Sequence, residues 1–198
     1  MRKIGIFGGS FNPMHLGHLS VAKAALEMAS LNEVIVMPAF VSPFRQKEER
    51  FLSDEERLEI ARLTCEDVQN LRVSDFEISK KEVSYTFNTV SFIKEQEKDA
   101  KLFWIMGEDS LPGLNAWHRA KELFELCDFI VYPRRDAVVR LGENEASVAK
   151  DARIIKIQSS FVDVSSTLIR EKILNGEDLT GLVHPKVISF LHSKRTKE

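Results

Sequence analysis

The sequence contains little cysteine and almost no excess of one charge. Cys65 and Cys127 are the only two cysteines among 198 residues, and they form no CxxC pair of the kind that binds zinc. We therefore expect both to be reduced, buried thiols of a cytoplasmic protein. The 28 basic residues nearly balance the 30 acidic ones, which gives a net charge of −2. A nucleic-acid partner, which would require a basic surface, is not expected.

Long apolar segments are also missing. No run approaches the roughly 18 apolar residues that a membrane-spanning helix needs, and no secretory leader stands before the first predicted strand. We therefore expect no membrane partner. Hydrophobic residues still make up 43% of the chain, which is enough for an ordinary core. The length predicts a single domain over residues 1–198, in which residues 160–198 form a C-terminal helical part. Monomer and homo-oligomer both remain open.

Short apolar segments alternate with segments of helical periodicity along the chain. This alternation predicts a Rossmann-like, doubly wound α/β fold, with a mainly parallel sheet and helices on both faces. The predicted strands are Ile4–Phe7, Val34–Met37, Leu71–Ser74, Leu102–Met106, Phe129–Tyr132 and Ile154–Ile157. The predicted helices are Leu16–Ala29, a capped helix from Ser53 to Glu66, Thr86–Gln96, Ala120–Leu126, Thr167–Leu174 and Pro185–Ser193. A loop is expected at Ser42–Leu52, and a mixture of loop and helix at Arg134–Lys150.

The most informative segment is Gly8–His18, which directly follows the first predicted strand and has the sequence GGSFNPMHLGH. Gly8 and Gly9 predict a tight turn in which main-chain N–H groups, including those of Ser10–Phe11, approach an anion. Asn12–Pro13 predicts the N-cap and first turn of the helix that follows. The GxGxxG dinucleotide fingerprint and the Walker lysine are both missing, so the segment is neither of those phosphate sites.

His15 and His18 lie three residues apart, so both can face the same side of that helix. Near the positive end of the helix dipole, the two imidazoles can contact one polyphosphate. Two alternatives to a phosphate site are kept: the histidines are ordinary polar surface residues, or they are two ligands of a metal ion. A third ligand with suitable spacing is not evident, since His118, His184 and His192 are scattered.

The Gly8–His18 segment resembles the glycine turn and HxGH signature of the nucleotidylyltransferase superfamily. A second segment, Val164–Arg170, is similar to the SSTxIR element of that family. Ser165 and Ser166 are good N-cap residues, and Arg170 lies about one turn into the helix that follows. The resemblance implies catalytic roles for His15, His18 and Arg170. It implies ATP or phosphate binding by Gly8, Gly9, Ser10, Phe11, Gly17, Ser165, Ser166 and Thr167.

Two further segments resemble the nicotinate-mononucleotide adenylyltransferase branch of this superfamily. Ser84–Thr89 is similar to SYTxDT, and Trp104–Leu111 followed by Trp117 is similar to a GxD strand end and its tryptophan. By this resemblance Asp109 hydrogen-bonds a ribose, Trp117 lies on the pyridine ring, and Thr86 with neighbouring amides meets the nicotinate carboxylate. The alternative roles are a helix cap for Thr86, a solvated carboxylate for Asp109 and a core position for Trp117. The residues implied to bind the pyridine nucleotide are Ser84, Tyr85, Thr86, Gly107, Asp109, Trp117 and Arg134.

Several positions depart from the pattern of that branch. Asn12 and Asn88 stand where aspartate is common. Ser42–Lys47 stands where many members carry a Pro-His-Lys string. We expect Arg45 or Lys47 to supply the positive charge of that string to ATP, and the choice between them remains open.

The resemblance implies adenylyl transfer from ATP to nicotinate mononucleotide, which gives deamido-NAD and pyrophosphate. The nucleophile is a phosphate that is already anionic at neutral pH, so no strong base is required. Mg²⁺ is expected on the ATP phosphates, with no protein ligands. Glu108 brings a carboxylate close to the predicted pyridine site, so nicotinamide mononucleotide remains open as the acceptor. Pantetheine phosphate as acceptor, a nucleotide-binding regulator and a metal-dependent hydrolase also remain open.

Overall fold

The computed structural model describes residues 1–43, 51–133, 152–157 and 164–195. The strands are β1 (Lys3–Gly9), β2 (Glu33–Pro38), β3 (Leu71–Val73), β4 (Lys101–Gly107), β5 (Cys127–Tyr132) and β6 (Ile154–Lys156). The helices are α1 (Leu16–Met28), α2 (Asp54–Cys65), α3 (Phe76–Lys80), α4 (Thr86–Gln96), α5 (Ala120–Leu126), α6 (Ser166–Asn175) and α7 (Pro185–Arg195), with a 3₁₀ helix at Glu108–Ala116.

The strands form one sheet in the order β3-β2-β1-β4-β5-β6. Every pairing among the described residues is parallel. β1 lies in the middle, where Ile6 is opposite Ile35 of β2 on one side and Trp104 of β4 on the other. The predicted Rossmann-like, doubly wound α/β fold is therefore confirmed.

Helices cover both faces of the sheet, and each face has its own apolar core. Successive side chains of a strand point to opposite faces. Ile6 accordingly packs in a core with α4, α5 and the 3₁₀ helix, while its neighbour Phe7 packs in a core with α1, α2, α6 and α7. This double coverage explains why the central strands are continuous apolar runs.

The predicted strands and helices are all present, with ends that differ by a few residues. The predicted cap of α2 is also confirmed, because Ser53 and Glu56 exchange side-chain and main-chain hydrogen bonds. The sequence pattern did not predict α3 or the 3₁₀ helix. The expected mixture of loop and helix at Arg134–Lys150 lies outside the described residues. Within the described part of the chain, no helix combines the length and apolar character that crossing a membrane requires.

Candidate active site

Two of the motifs singled out in the sequence, the histidine turn and the segment from Gly107 to Trp117, directly follow the central strands β1 and β4. β1 ends at Gly9, β2 at Pro38 and β4 at Gly107. The chain leaves β1 towards β2 on one side, and β4 pairs with β1 on the other. In open α/β sheets, ligands bind outside the carboxyl ends of the strands, at this reversal of strand order.

Gly8 and Gly9 do not form the turn predicted for them. Both belong to β1, where they are opposite Met37 and Pro38 of β2. A Cβ atom on Gly8 would lie 2.6 Å from Cζ2 of Trp104, and one on Gly9 would lie 2.9 Å from the ring of Phe11. The turn prediction is wrong because these glycines make room for aromatic rings. Their role in phosphate binding stays a prediction.

The turn itself begins at Phe11, whose φ of 43° lies in the left-handed region. The Asn12–Pro13 peptide bond is cis, and Met14 is fully buried. The predicted N-cap at Asn12 and helix start at Pro13 are therefore wrong. The N-cap is His15, whose backbone is extended with φ −145° and ψ 173°, and α1 begins at the next residue.

His15 and His18 cap the helix for each other. The His18 main-chain N–H donates to Nδ1 of His15 at 3.3 Å, and the His15 N–H donates to Nδ1 of His18 at 3.3 Å. Their rings stack, with centroids 3.7 Å apart. An Nδ1 atom that accepts an N–H carries no proton, so the neutral rings present their protons on Nε2. A protonated Nε2 is a hydrogen-bond donor of the type that a phosphate oxygen accepts.

Aromatic and small residues fix the orientation of this histidine pair. The ring of Phe11 is perpendicular to that of His18, with centroids 5.0 Å apart. A Cβ atom on Gly17 would lie 3.1 Å from Nδ1 of His15 and 3.0 Å from Cγ1 of Val164. A side chain at Gly17 would therefore push apart the histidine turn and the segment that leads into α6.

The second motif is bonded directly to the first. Ser165 is the N-cap of α6, because its hydroxyl accepts the N–H of Leu168 at 3.1 Å. The hydroxyl of Ser166 donates to the main-chain oxygen of Pro13 at 2.9 Å. Arg170 donates from Nη1 to the oxygen of Asn12 at 3.0 Å, and from Nη2 to Oγ1 of Thr167 at 3.0 Å. These bonds bring Arg170 and the histidine turn together. The catalytic and phosphate-binding roles remain predictions.

Arg57 is a residue of this site that was not predicted. Its side chain on α2 is only 1% exposed. It donates to the main-chain oxygens of Ser10 at 2.6 Å and Ala39 at 2.7 Å, and it forms an ion pair with Asp54 at 2.6 Å. It thereby fixes the chain directly after β1 and after β2. The sequence contains a signal for it, since Arg57 precedes the buried Ile60 by three positions and so lies on the buried stripe of α2.

The Ser84–Thr86 segment lies at the beginning of α4, beside the end of β2. The hydroxyl of Ser84 accepts the N–H of Phe40 at 3.0 Å, and its own N–H donates to the oxygen of Val41 at 2.8 Å. Tyr85, not Thr86, is the N-cap residue of α4, and it makes no side-chain cap hydrogen bond. The ring of Tyr85 lies 4.5 Å from that of His118.

The other predicted pyridine-binding residues follow β4. Gly107 is the buried last residue of that strand, opposite Tyr132 of β5. Asp109 is exposed at the beginning of the 3₁₀ helix. Trp117 directly follows that helix, and its half-buried ring packs against the core on the α4 and α5 side. Asp109 as a solvated carboxylate and Trp117 as a core residue both agree with these positions, and their ligand contacts remain predictions.

Glu77 and Thr89 form a buried polar pair beneath the beginning of α4. Glu77 on α3 is 6% exposed and Thr89 on α4 is 1% exposed. The Thr89 hydroxyl donates to Oε1 of Glu77. Burial raises the pKa of the Glu77 carboxyl above its ordinary value, and hydrogen bonds from Thr89 and Ser84 offset part of that rise. Sequence patterns do not reveal this pair, because α3 has only five residues and shows no helical period.

Three predicted basic residues lie outside the described residues: Arg45, its alternative Lys47, and Arg134. The two cysteines are described and buried, as expected. Burial raises the pKa of the Cys65 thiol to about 12 and that of the Cys127 thiol to about 12.

Among the described residues, one group of side chains has the spacing of metal ligands: Glu66, Asp67 and His184. It lies beyond the C-terminal end of α2, about two and a half turns from Arg57. Nε2 of His184 is 3.1 Å from a carboxylate oxygen of Asp67, and Glu66 pairs with Lys186. The group does not include His15 or His18.

The sequence profile described as cytidylyltransferase-like matches residues 6–172. A probable nicotinate-nucleotide adenylyltransferase of Fusobacterium nucleatum is 38% identical over 97% of this chain and 98% of its own length. A second probable enzyme of this name, from Aliarcobacter butzleri, is 34% identical over 86% and 87% of the two chains. The chain belongs to the nicotinate-nucleotide adenylyltransferase family.

Solved structures agree with this family at the level of the fold. The Plasmodium falciparum nicotinic acid mononucleotide adenylyltransferase complexed with NaAD superposes with a TM-score of 0.78 at 18% identity, covering 98% of this chain and 96% of that chain. An identity of this size supports the likeness of fold alone. The histidine turn and the α6 cap both lie within residues 6–172, the range that the family profile matches.

Proposed function

We propose that this chain transfers the adenylyl group of ATP to the 5′-phosphate of nicotinate mononucleotide, giving deamido-NAD and pyrophosphate. The observation that carries the proposal is the joined histidine turn and α6, in a chain whose relatives bear that enzyme name over nearly their full length. We assign the reaction to the cytoplasm, where thiols such as Cys65 stay reduced.

The reaction needs alignment and charge stabilisation more than it needs a base. The attacking phosphate oxygen is already anionic, and the α-phosphorus of ATP gains negative charge on its equatorial oxygens as pyrophosphate leaves. The Nε2–H groups of His15 and His18 donate to these oxygens. The Arg170 guanidinium, held at the oxygen of Asn12, supplies a full positive charge. Groups fixed in advance stabilise such charge without reorganising during the reaction.

The side chains described around the turn are partners for anions. Imidazole and guanidinium groups donate hydrogen bonds, whereas Mg²⁺ prefers oxygen ligands. Asp54, the first carboxylate of α2, is paired with Arg57. This donor set supports the proposal that Mg²⁺ is held by the ATP phosphates. Bound there, Mg²⁺ would screen the charge of the triphosphate.

The beginning of α4 suits the carboxylate of the acceptor. Its first N–H groups have no intrahelical acceptor, and the N-cap Tyr85 makes no side-chain cap bond. By contrast, α1, α2 and α6 are capped by His15, Ser53 and Ser165. A helix N-terminus of this kind favours a negative group. We assign the nicotinate carboxylate to Thr86 and its amide neighbours, the ribose to Asp109 and the pyridine ring to Trp117.

Glu108 favours nicotinamide mononucleotide as a second candidate acceptor, because a carboxylate next to Asp109 repels the carboxylate of nicotinate. The test is pyrophosphate release from ATP and Mg²⁺ with nicotinate mononucleotide, nicotinamide mononucleotide or pantetheine phosphate. We expect the largest kcat/KM with nicotinate mononucleotide. A larger value with nicotinamide mononucleotide would transfer the assignment to that acceptor. Pyrophosphate release that needs neither pyridine mononucleotide would overturn the proposed function.

A further inference from the structure

A buried hydrogen-bond network joins α3, the beginning of α4 and the end of β2. Its centre is the carboxyl group of Glu77, which is 6% exposed. The hydroxyl of Thr89 hydrogen-bonds to it, and the Ser84 hydroxyl lowers its pKa. Ser84 in turn holds Phe40 and Val41, the residues that follow β2.

The directions of these bonds define what Glu77 contributes. Thr89 donates its proton to the carboxyl of Glu77. The Ser84 hydroxyl accepts the N–H of Phe40 at 3.0 Å, and its presence lowers the pKa of the same carboxyl. An ionised carboxylate accepts hydrogen bonds only, so it suits the hydroxyl that donates to it. An amide in its place would offer one acceptor oxygen instead of two and would add an NH₂ donor.

The network includes Ser84 and Thr89, the first and last residues of the SYTxDT-like motif. Ser84 precedes the N-cap Tyr85, and Thr89 is one turn into α4, where its hydroxyl is bonded to Glu77. Phe40, which is bonded to Ser84, directly follows Ala39. The N–H of Ala39 donates to the oxygen of Gly9 at 2.9 Å, so the network is connected to the end of β1.

We propose that Glu77 is a positioning residue for the acceptor, which acts by fixing the N-terminal turn of α4 through Thr89. The proposal rests on the proposed function, in which this turn binds the carboxylate of the pyridine mononucleotide. Glu77 is buried beneath the turn and takes no part in the chemistry. The histidine turn and Arg170 are bonded to other partners, so ATP binding does not depend on Glu77.

This arrangement predicts a specific kinetic pattern. The pyridine end of the acceptor is remote from the reacting phosphates, so its binding is the same in the ground state and in the transition state. Loss of such binding raises KM and leaves kcat unchanged. We expect Thr89→Val and Glu77→Gln to raise the KM for nicotinate mononucleotide by about 10- to 100-fold, the effect of a misplacement of about 1 Å. The KM for ATP should stay at the wild-type value.

The matched control is Ser91→Ala. Ser91 is on the same helix, and its buried hydroxyl has no hydrogen-bond partner among the described residues. Removing it changes the same kind of group without touching Glu77, so both KM values should be unchanged. Thr89→Ser restores the hydroxyl and should recover most of the acceptor affinity lost in Thr89→Val.

The experiment measures kcat and both KM values for the wild type and the four variants, with folding checked by circular dichroism. Wild type is measured first, and no acceptor-dependent turnover there would refute the proposed function. With an active wild type, unchanged acceptor KM in Thr89→Val, or equal rises in both KM values, would overturn the positioning role. If Glu77→Gln does not fold, the comparison of Thr89→Val with Thr89→Ser decides the outcome.

Discussion

Arg170 on α6 donates a hydrogen bond to the main-chain oxygen of Asn12 at 3.0 Å, although the two residues are 158 positions apart. The same guanidinium also holds Thr167 at 3.0 Å. A planar group with several donors can keep these two bonds while it presents its charge to an anion.

Replacing Arg170 by lysine should lower kcat by about 10²- to 10³-fold, because a single ammonium cannot maintain both bonds and also face the phosphates. Steady-state pyrophosphate release measures this effect. Lys172→Met is the control, since it removes a basic side chain of the same helix whose partner is Glu177. A lysine variant with wild-type kcat would show that Arg170 is a structural residue.

His15 combines the cap of α1 with the predicted phosphate contact, and two substitutions separate these roles. His15→Ala removes both, so we expect a loss of about 0.5–2 kcal/mol in the free energy of unfolding and a roughly 10²- to 10⁴-fold loss of turnover. Asparagine is a good N-cap residue, so His15→Asn should be nearly as stable as wild type but equally inactive. Stability is measured by urea denaturation. Full activity in His15→Asn would contradict the phosphate contact.

Arg57→Leu should destabilise the protein by about 3–5 kcal/mol, because it leaves the carboxylate of Asp54 and two main-chain oxygens without their partner. Denaturant unfolding measures the change. Arg62→Leu is the matched control on the same helix, since its side chain is about half exposed and its ion pair with Glu59 is 3.9 Å long. Equal losses of unfolding free energy in the two variants would contradict a stabilising role of the buried Arg57 side chain.

A methyl group on Gly8 would clash with Trp104, whose ring is only 7% exposed. We expect Gly8→Ala to cost about 1–3 kcal/mol, the usual range for overpacking. Trp104→Phe makes room and should recover part of that loss in the double variant. A Cβ atom on Gly113 meets nothing within 4 Å, so Gly113→Ala should be close to neutral in the same unfolding experiment. Additive effects at Gly8 and Trp104 would argue against direct contact.

The raised pKa of Glu77 makes part of the stability depend on pH. The Glu77 carboxyl binds a proton more tightly in the folded protein than in the unfolded chain, where its pKa has the ordinary value of 4.5. The stability from this group is therefore fully present below pH 4.5 and is lost as the pH rises through the folded pKa. Relative to wild type, Glu77→Gln should gain stability as the pH rises from 4.5 through the folded pKa of Glu77. A difference between their unfolding free energies that does not change with pH would refute the effect.

The sheet and most helices could be predicted because periodicity is a local property of the chain. α3 was missed because five residues are too few to show a helical period, and the 3₁₀ helix contains Pro112 and Gly113. The helix start at Asn12–Pro13 was wrong because His15 supplies the capping acceptor, a role that the sequence alone assigns more readily to asparagine.

The residues of the candidate site also divide into those that the sequence predicts and those that it does not. The histidine turn and the α6 cap carry recognisable residue strings, and the fold brings them together. Arg57 and Glu77 were missed because the burial of a charged group depends on packing partners that are distant in sequence. Ser10 and Ala39, for example, meet Arg57 only after β1 and β2 have paired.

The bond between Asn12 and Arg170 also sets an order of events during synthesis of the protein. The histidine turn leaves the ribosome early, whereas β4, the central partner of β1, follows only at Lys101, and Arg170 comes later still. A nascent chain therefore carries both histidines long before it carries their guanidinium. On the proposed function, the ability to hold ATP for transfer is one of the last properties that the growing chain acquires, and a chain truncated before α6 lacks Arg170.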